Sequence, residues 1–112
     1  MKIYHNPRCR KSRETLALLK EEGYKPEVVE YLKTPPSQEE LIEILSLLGI
    51  SAEQIIRTGE KIFKENYKGK TFSEEEWVQI LIENPKLIER PIVVAGKKAV
   101  IGRPPENVHS LF

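Results

Sequence analysis

Apolar and polar positions along the chain change their period several times, and each change marks an element. Lys2-Ile3-Tyr4-His5 is short and β-prone. From about Arg10 to Glu22 the residues read as an amphipathic helix closed by Gly23. Glu27-Val28-Val29-Glu30-Tyr31 alternates and is β-branched, which predicts a second strand. Thr34-Pro35-Pro36 breaks the chain. Ser37 with Glu40 three residues on forms a capping-box signature, and Leu41, Ile44, Leu45 and Leu48 give that helix its apolar face before Gly49 ends it. A short helix is expected from Ser51 to Ile56, running into Arg57, and another turn or two over Lys61 to Asn66. Ser73 with Glu76 repeats the cap signature. Trp77, Ile80, Leu81 and Leu87-Ile88 form the buried side of that region, and Asn84-Pro85 ends the helix.

Ile92-Val93-Val94-Ala95 and Ala99-Val100-Ile101 flank Gly96-Lys97-Lys98, the pattern of an antiparallel hairpin. Pro104-Pro105-Glu106 opens a last helix. A strand-helix-strand unit this compact implies a parallel pair with a right-handed crossover. The order βαβ, helices, ββα predicts an α/β fold: a thioredoxin-like four-stranded mixed sheet with a helical insertion at about 37–84. The whole 1–112 stretch is read as a single domain, since 112 residues supply one core.

Composition narrows the function. Hydrophobic residues at 39% and charged ones at 31% describe a soluble protein, and a net charge of +1 gives no reason to expect nucleic-acid binding. No apolar run is long enough for a bilayer and the N-terminus is no signal peptide, so no membrane partner is expected. Cys9 is the only cysteine. That excludes an intrachain disulfide, a thiolate zinc cluster and a self-contained dithiol cycle, and no metal is expected. A lone reactive thiol fits a cytoplasmic setting.

Cys9 falls where a strand turns into a helix, within His5-Asn6-Pro7-Arg8-Cys9-Arg10-Lys11-Ser12-Arg13. Free backbone N–H groups and the helix dipole favour an anion at such a point, and the thiolate is the reactive form of cysteine. Arg8, Arg10, Lys11 and Arg13 add positive charge. The bland reading is a small buried hydrophobe. His5 is either an ordinary strand-end histidine or an imidazolium that helps hold the thiolate. Ser12 either donates its hydroxyl to the sulfur or is a solvated surface residue. Arg57, Arg90 and Arg103 each sit at an element end, Arg57 being placed at the end of a short helix. Any one of them alone is more often a solvated charge.

The residues His5-Asn6-Pro7-x-Cys9-x-x-Ser12-Arg13, Tyr31-Leu32-x-x-Pro35-Pro36-Ser37, Leu87-Ile88-x-Arg90-Pro91-Ile92-Val93-Val94 and Gly102-Arg103-Pro104 resemble, in order and spacing, the glutaredoxin-coupled arsenate reductases. The resemblance covers nearly the whole chain. It implies that Cys9 is the nucleophile attacking arsenic and that Arg57, Arg90 and Arg103 hold the oxyanion. It further implies that His5 supports the thiolate, that Asn6 and Ser12 line the site, and that Pro91 is a cis-proline opposite the cysteine. Glutathione would be co-substrate, with no tightly bound cofactor; glutaredoxin would be the partner, and the protein a monomer. Forked guanidiniums suit this task, because arsenate is an anion that a bare thiolate would repel.

Two neighbours of this reading carry different marks. Phosphatase-like arsenate reductases need an arginine six residues after the cysteine, and position 15 is Thr15. Spx-type regulators, which dock on RNA polymerase, commonly carry a second cysteine where this chain has Ser12. A glutathione-dependent monothiol oxidoreductase remains an alternative, with the arginines holding glutathione carboxylates.

Overall fold

A computed structural model describes all 112 residues, Met1 to Phe112. The chain divides into two compact units: Met1–Thr34 with Arg90–Phe112, and Pro35–Glu89.

The first unit is a four-stranded mixed sheet with helical segments. Its strands are β1 (Lys2–His5), β2 (Glu27–Glu30), β3 (Ile92–Ala95) and β4 (Lys98–Ile101), in the order β2-β1-β3-β4. β1 runs parallel to β2, with Ile3 opposite Val28, and antiparallel to β3, with Ile3 opposite Val93. β3 and β4 form the expected hairpin, with Ile92 opposite Ile101. α1 (Arg10–Glu21) is the crossover between the parallel strands, and a 3₁₀ helix over Pro105–Leu111 closes the chain. Ile3, Leu19, Val93 and Val108 are wholly buried together, with Leu16, Leu18, Val100 and Leu111 packed around them. Each of these segments contributes apolar side chains at the period its geometry demands, so one small core fixes sheet and helices at once.

Two details depart from the sequence expectation. β2 stops at Glu30, one residue early, and Val28 is exposed while Tyr31 is buried in the following turn. β2 is an edge strand, so its side chains have a neighbouring strand on one side only and one row of its backbone groups is unpaired by the sheet. The last helix is 3₁₀ rather than α, entered through a cis peptide at Arg103-Pro104. The expected cis peptide at Arg90-Pro91 is also present.

The second unit is helical: α2 (Gln38–Leu48), a 3₁₀ turn over Ala52–Ile55, α3 (Lys61–Asn66), α4 (Glu74–Glu83) and a 3₁₀ turn over Pro85–Leu87. Both capping boxes form. The Ser37 hydroxyl accepts from the Glu40 N–H while the Glu40 carboxylate accepts from the Ser37 N–H, and Ser73 and Glu76 do the same. Gly49 ends α2 at φ +71°, a left-handed conformation that glycine adopts without a Cβ penalty. Leu41, Ile44, Leu45, Ile55, Val78, Leu81 and Leu87 fill the interior, and Phe72 meets Trp77 edge-on at 4.7 Å. Ile80, expected on the buried side, is only half-buried; Val78 takes the inward place. Ile56 forms an isolated antiparallel bridge with Ile88. Arg57 therefore does not end a helix. It follows an extended residue, and its N–H donates to the Leu87 carbonyl at 2.7 Å. No helix is long and apolar enough to cross a membrane.

Candidate active site

β1 delivers the chain to a tight turn in which the Cys9 N–H donates to the Asn6 carbonyl at 3.0 Å. The Asn6 side-chain oxygen accepts from the Arg8 N–H, and the Arg13 guanidinium donates to the Pro7 carbonyl. Cys9 is the N-cap residue of α1, in extended conformation, and is 8% exposed. That position turns its side chain toward the unpaired N–H groups of the first helical turn. No cap hydrogen bond is closed to the thiol. The amides of Ser12 and Lys11 nevertheless face the sulfur and favour its charged form.

Burial alone would push the Cys9 thiol up. It is overcome by the Ser12 amide, by the charge and hydrogen bonding of Arg90, and by the Lys11 amide, so the thiol lies below its ordinary value. Three of the four loop cations expected to do this are occupied elsewhere. Arg10 and Lys11 both pair with Glu14, and Arg13 is held on Pro7. The cation that matters comes from the far end of the sequence, just before β3.

Arg90 has two buried nitrogens, Nε and Nη1, with no partner in the protein. Arg103 reaches the Cys9 sulfur through Nη1 at 3.7 Å. It is exposed, so water screens its charge more than it screens the buried Arg90 nitrogens. Two arginines thus reach the sulfur: Arg103 through Nη1, and Arg90 through a hydrogen bond and its charge.

His5 and Ser12 correct the sequence expectation in a linked way. His5 Nδ1 lies 2.6 Å from the Ser12 hydroxyl oxygen, which also accepts from the Asn6 N–H at 3.0 Å. Both side chains are buried. Burial lowers the His5 pKa most, Glu30 opposes that, and Arg13 and Lys20 add to the lowering. His5 is therefore neutral at neutral pH and is not an imidazolium counter-ion to the thiolate. The neutral ring meets the Ser12 hydroxyl through Nδ1, as acceptor in one tautomer and as N–H donor in the other. The Ser12 backbone N–H favours the charged form of Cys9.

Cys9, His5, Asn6, Ser12, Arg90, Pro91 and Arg103 all belong to the sheet-bearing unit. Arg57 belongs to the helical unit, where its guanidinium pairs with Glu60 at 2.5 Å. The sequence places free N–H groups of a helix start at Cys9 without singling out which; they are the amides of Ser12 and Lys11. It also gave Thr15 no role beyond the absence of an arginine.

A thioredoxin-like sheet with one lowered-pKa thiol at a helix N-cap, beside arginines from two later loops, defines a class of thiol proteins suited to binding anions. The particular family follows from comparison: the ArsC family model matches residues 4–111, and this chain belongs to that family. It is 56% identical over 110 residues to the uncharacterized protein YfgD of Escherichia coli (strain K12), an alignment covering 96% of this chain and 92% of that one. It is 42% identical over 114 residues to an arsenate reductase of Neisseria meningitidis, covering 100% of this chain and 97% of that one. The solved structure of an arsenate reductase from Vibrio cholerae superposes with a TM-score of 0.95 at 46% identity, covering 99% and 96% of the two chains.

Proposed function

We propose that this protein reduces arsenate to arsenite, with Cys9 as the nucleophile. The observation that carries the reading is the pair of buried, unpartnered Arg90 nitrogens beside a thiol held below its ordinary pKa. Buried guanidinium donors without acceptors are costly, and an oxyanion would satisfy them. Arg103, already on the sulfur, would meet a second oxygen. Arg57 is assigned to the same anion by the sequence resemblance and by nothing else.

In the first step the Cys9 thiolate bonds to arsenic(V) and one oxygen leaves as water after protonation. A second thiol, from glutathione, must then act, since the chain has no other cysteine. Two thiols together give up two electrons and become one disulfide, while arsenic(V) becomes arsenic(III) and departs as arsenite. Glutaredoxin would exchange with the resulting mixed disulfide and return the Cys9 thiol. The cytoplasm, where glutathione is reduced, suits this cycle. His5 and Asn6 orient Ser12 and the loop, and Pro91 fixes the backbone beside Arg90.

A second reading, a monothiol oxidoreductase acting on glutathione mixed disulfides, is favoured by one feature. A cavity of about 280 Å³ beside the loop is lined by Asn6, Arg8, Glu30 and Lys33 among others. Its two cations and one carboxylate suit a zwitterionic peptide.

The test is NADPH consumption with glutathione, glutaredoxin and glutathione reductase supplied, with and without arsenate. Arsenate-dependent turnover that disappears in Cys9→Ser supports arsenate reduction. Turnover only with a glutathione mixed disulfide as substrate supports the second reading and overturns the first.

A further inference from the structure

Thr15 is wholly buried one turn into α1, and its hydroxyl faces two backbone carbonyls: Lys11 at 2.8 Å and Gly102 at 3.1 Å. One carbonyl belongs to the peptide unit whose N–H faces Cys9, and the other precedes a residue whose side chain reaches the sulfur. The Lys11 carbonyl shares its peptide with the Ser12 N–H, the strongest of the groups that lower the Cys9 thiol. The Gly102 carbonyl leads into Arg103, whose guanidinium touches the sulfur.

A trans peptide is planar, so fixing its C=O fixes the direction of the N–H on the opposite side. A hydrogen bond accepted by that carbonyl also polarises the amide and strengthens its N–H as a donor. Gly102 lies so close that a Cβ there would meet Thr15 Oγ1 at 2.8 Å, Thr15 Cγ2 at 2.9 Å and Pro91 Cγ at 3.0 Å. The Gly102 N–H in turn donates to the Pro91 carbonyl at 2.8 Å, next to Arg90. Three segments that each bring one group to the sulfur therefore meet at the Thr15–Gly102 contact.

We infer that Thr15 is a positioning residue for Cys9. Its hydroxyl aims the Ser12 amide at the sulfur and registers the Arg90 and Arg103 segments against α1. The role concerns the thiolate and its anion pocket, and it holds whether or not arsenate is the substrate.

The pH dependence of Cys9 alkylation in the folded protein tests this, with sulfate as a competing anion. Thr15→Val keeps the shape of the side chain and loses the hydroxyl. It should shift the alkylation midpoint upward and raise the sulfate needed for half-protection about tenfold, the scale of one lost charge-assisted contact. Thr15→Ser, which keeps the hydroxyl and loses the methyl, should restore both. A folded Thr15→Val protein that titrates like the parent overturns the inference, as does a Thr15→Ser protein that behaves like Thr15→Val. Should Thr15→Val not fold, the unaltered protein still decides. The Thr15 hydroxyl proton and the Ser12 amide proton should shift together with the Cys9 titration in NMR spectra. A Thr15 hydroxyl that stays still while Cys9 ionises overturns the inference too.

Discussion

Arg90 and Arg103 both reach Cys9: Arg103 through Nη1 at 3.7 Å, and Arg90 through a hydrogen bond and a charge that favour the thiolate. Burial ranks the two charges, because a guanidinium with buried nitrogens acts on a neighbouring thiolate with little screening while an exposed one is screened by water. Arg90→Ala should therefore raise the Cys9 titration midpoint, and Arg103→Ala should move it less. Thiolate absorbance against pH measures both. An equal shift in the two variants would refute that ranking.

Replacing either arginine by lysine separates charge from geometry. Lysine keeps the positive charge and loses the planar fork. If Arg90 holds the reacting anion through its now unpartnered Nε and Nη1, Arg90→Lys should lower kcat/KM for arsenate by about two to three decades, on the order of 3 kcal/mol. The Cys9 midpoint should move less in Arg90→Lys than in Arg90→Ala. Activity near the parent level in Arg90→Lys would show that charge alone suffices.

His5 sets a pH dependence whose sign can be worked out. Its pKa is lowered in the folded protein, so the unfolded chain binds the proton more readily. The associated stability is present above the unfolded value of about 6.5 and is lost as pH falls through the folded value. His5→Gln, whose amide can still accept from the Ser12 hydroxyl or donate to it, should flatten the acid side of a thermal-unfolding profile. It should also leave the Cys9 midpoint near that of the parent, because a neutral ring contributes no charge to lose. A large upward shift of that midpoint would restore the imidazolium reading.

Much of this was legible in the chain, for reasons that differ by element. The capping boxes at Ser37 and Ser73 form as read, because both partners lie within one turn and need nothing from elsewhere. The hairpin around Gly96 and the βαβ unit follow from period and punctuation. What the sequence could not reveal depends on burial and on long-range contact. Whether His5 is charged is decided by its burial, and which cation serves Cys9 is decided by a residue 81 positions away. Four local cations made the wrong answer look natural until Glu14 and the Pro7 carbonyl were seen to occupy three of them. Arg57 was assigned to a helix end because Ile55-Ile56 reads as helical. The bridge to Ile88 that extends the chain there is a pairing over 32 residues.

The caps supply a control. Ser37→Ala or Ser73→Ala removes the acceptor for one amide at each helix start, which should cost about 1 kcal/mol of stability in either case. Chemical denaturation measures this. Both residues lie in the helical unit, so the Cys9 titration should be unchanged in the folded variants.

Arg57 gives the last prediction. Its guanidinium is committed to Glu60, three residues on, in a partly buried ion pair. A carboxylate in that position competes with any anion for the same donors, since both need the fork. Under the arsenate reading, Glu60→Gln should lower KM for arsenate, because the neutral amide holds the guanidinium less firmly. Arg57→Ala should raise KM, and adding Glu60→Gln to Arg57→Ala should then have no further effect. That non-additivity is what two residues acting through one contact must show. Steady-state kinetics on the two single variants and the double variant would decide it. If Glu60→Gln raises KM even in the Arg57→Ala background, Glu60 acts independently of the pair, and Arg57 is better read as a structural partner of its own unit.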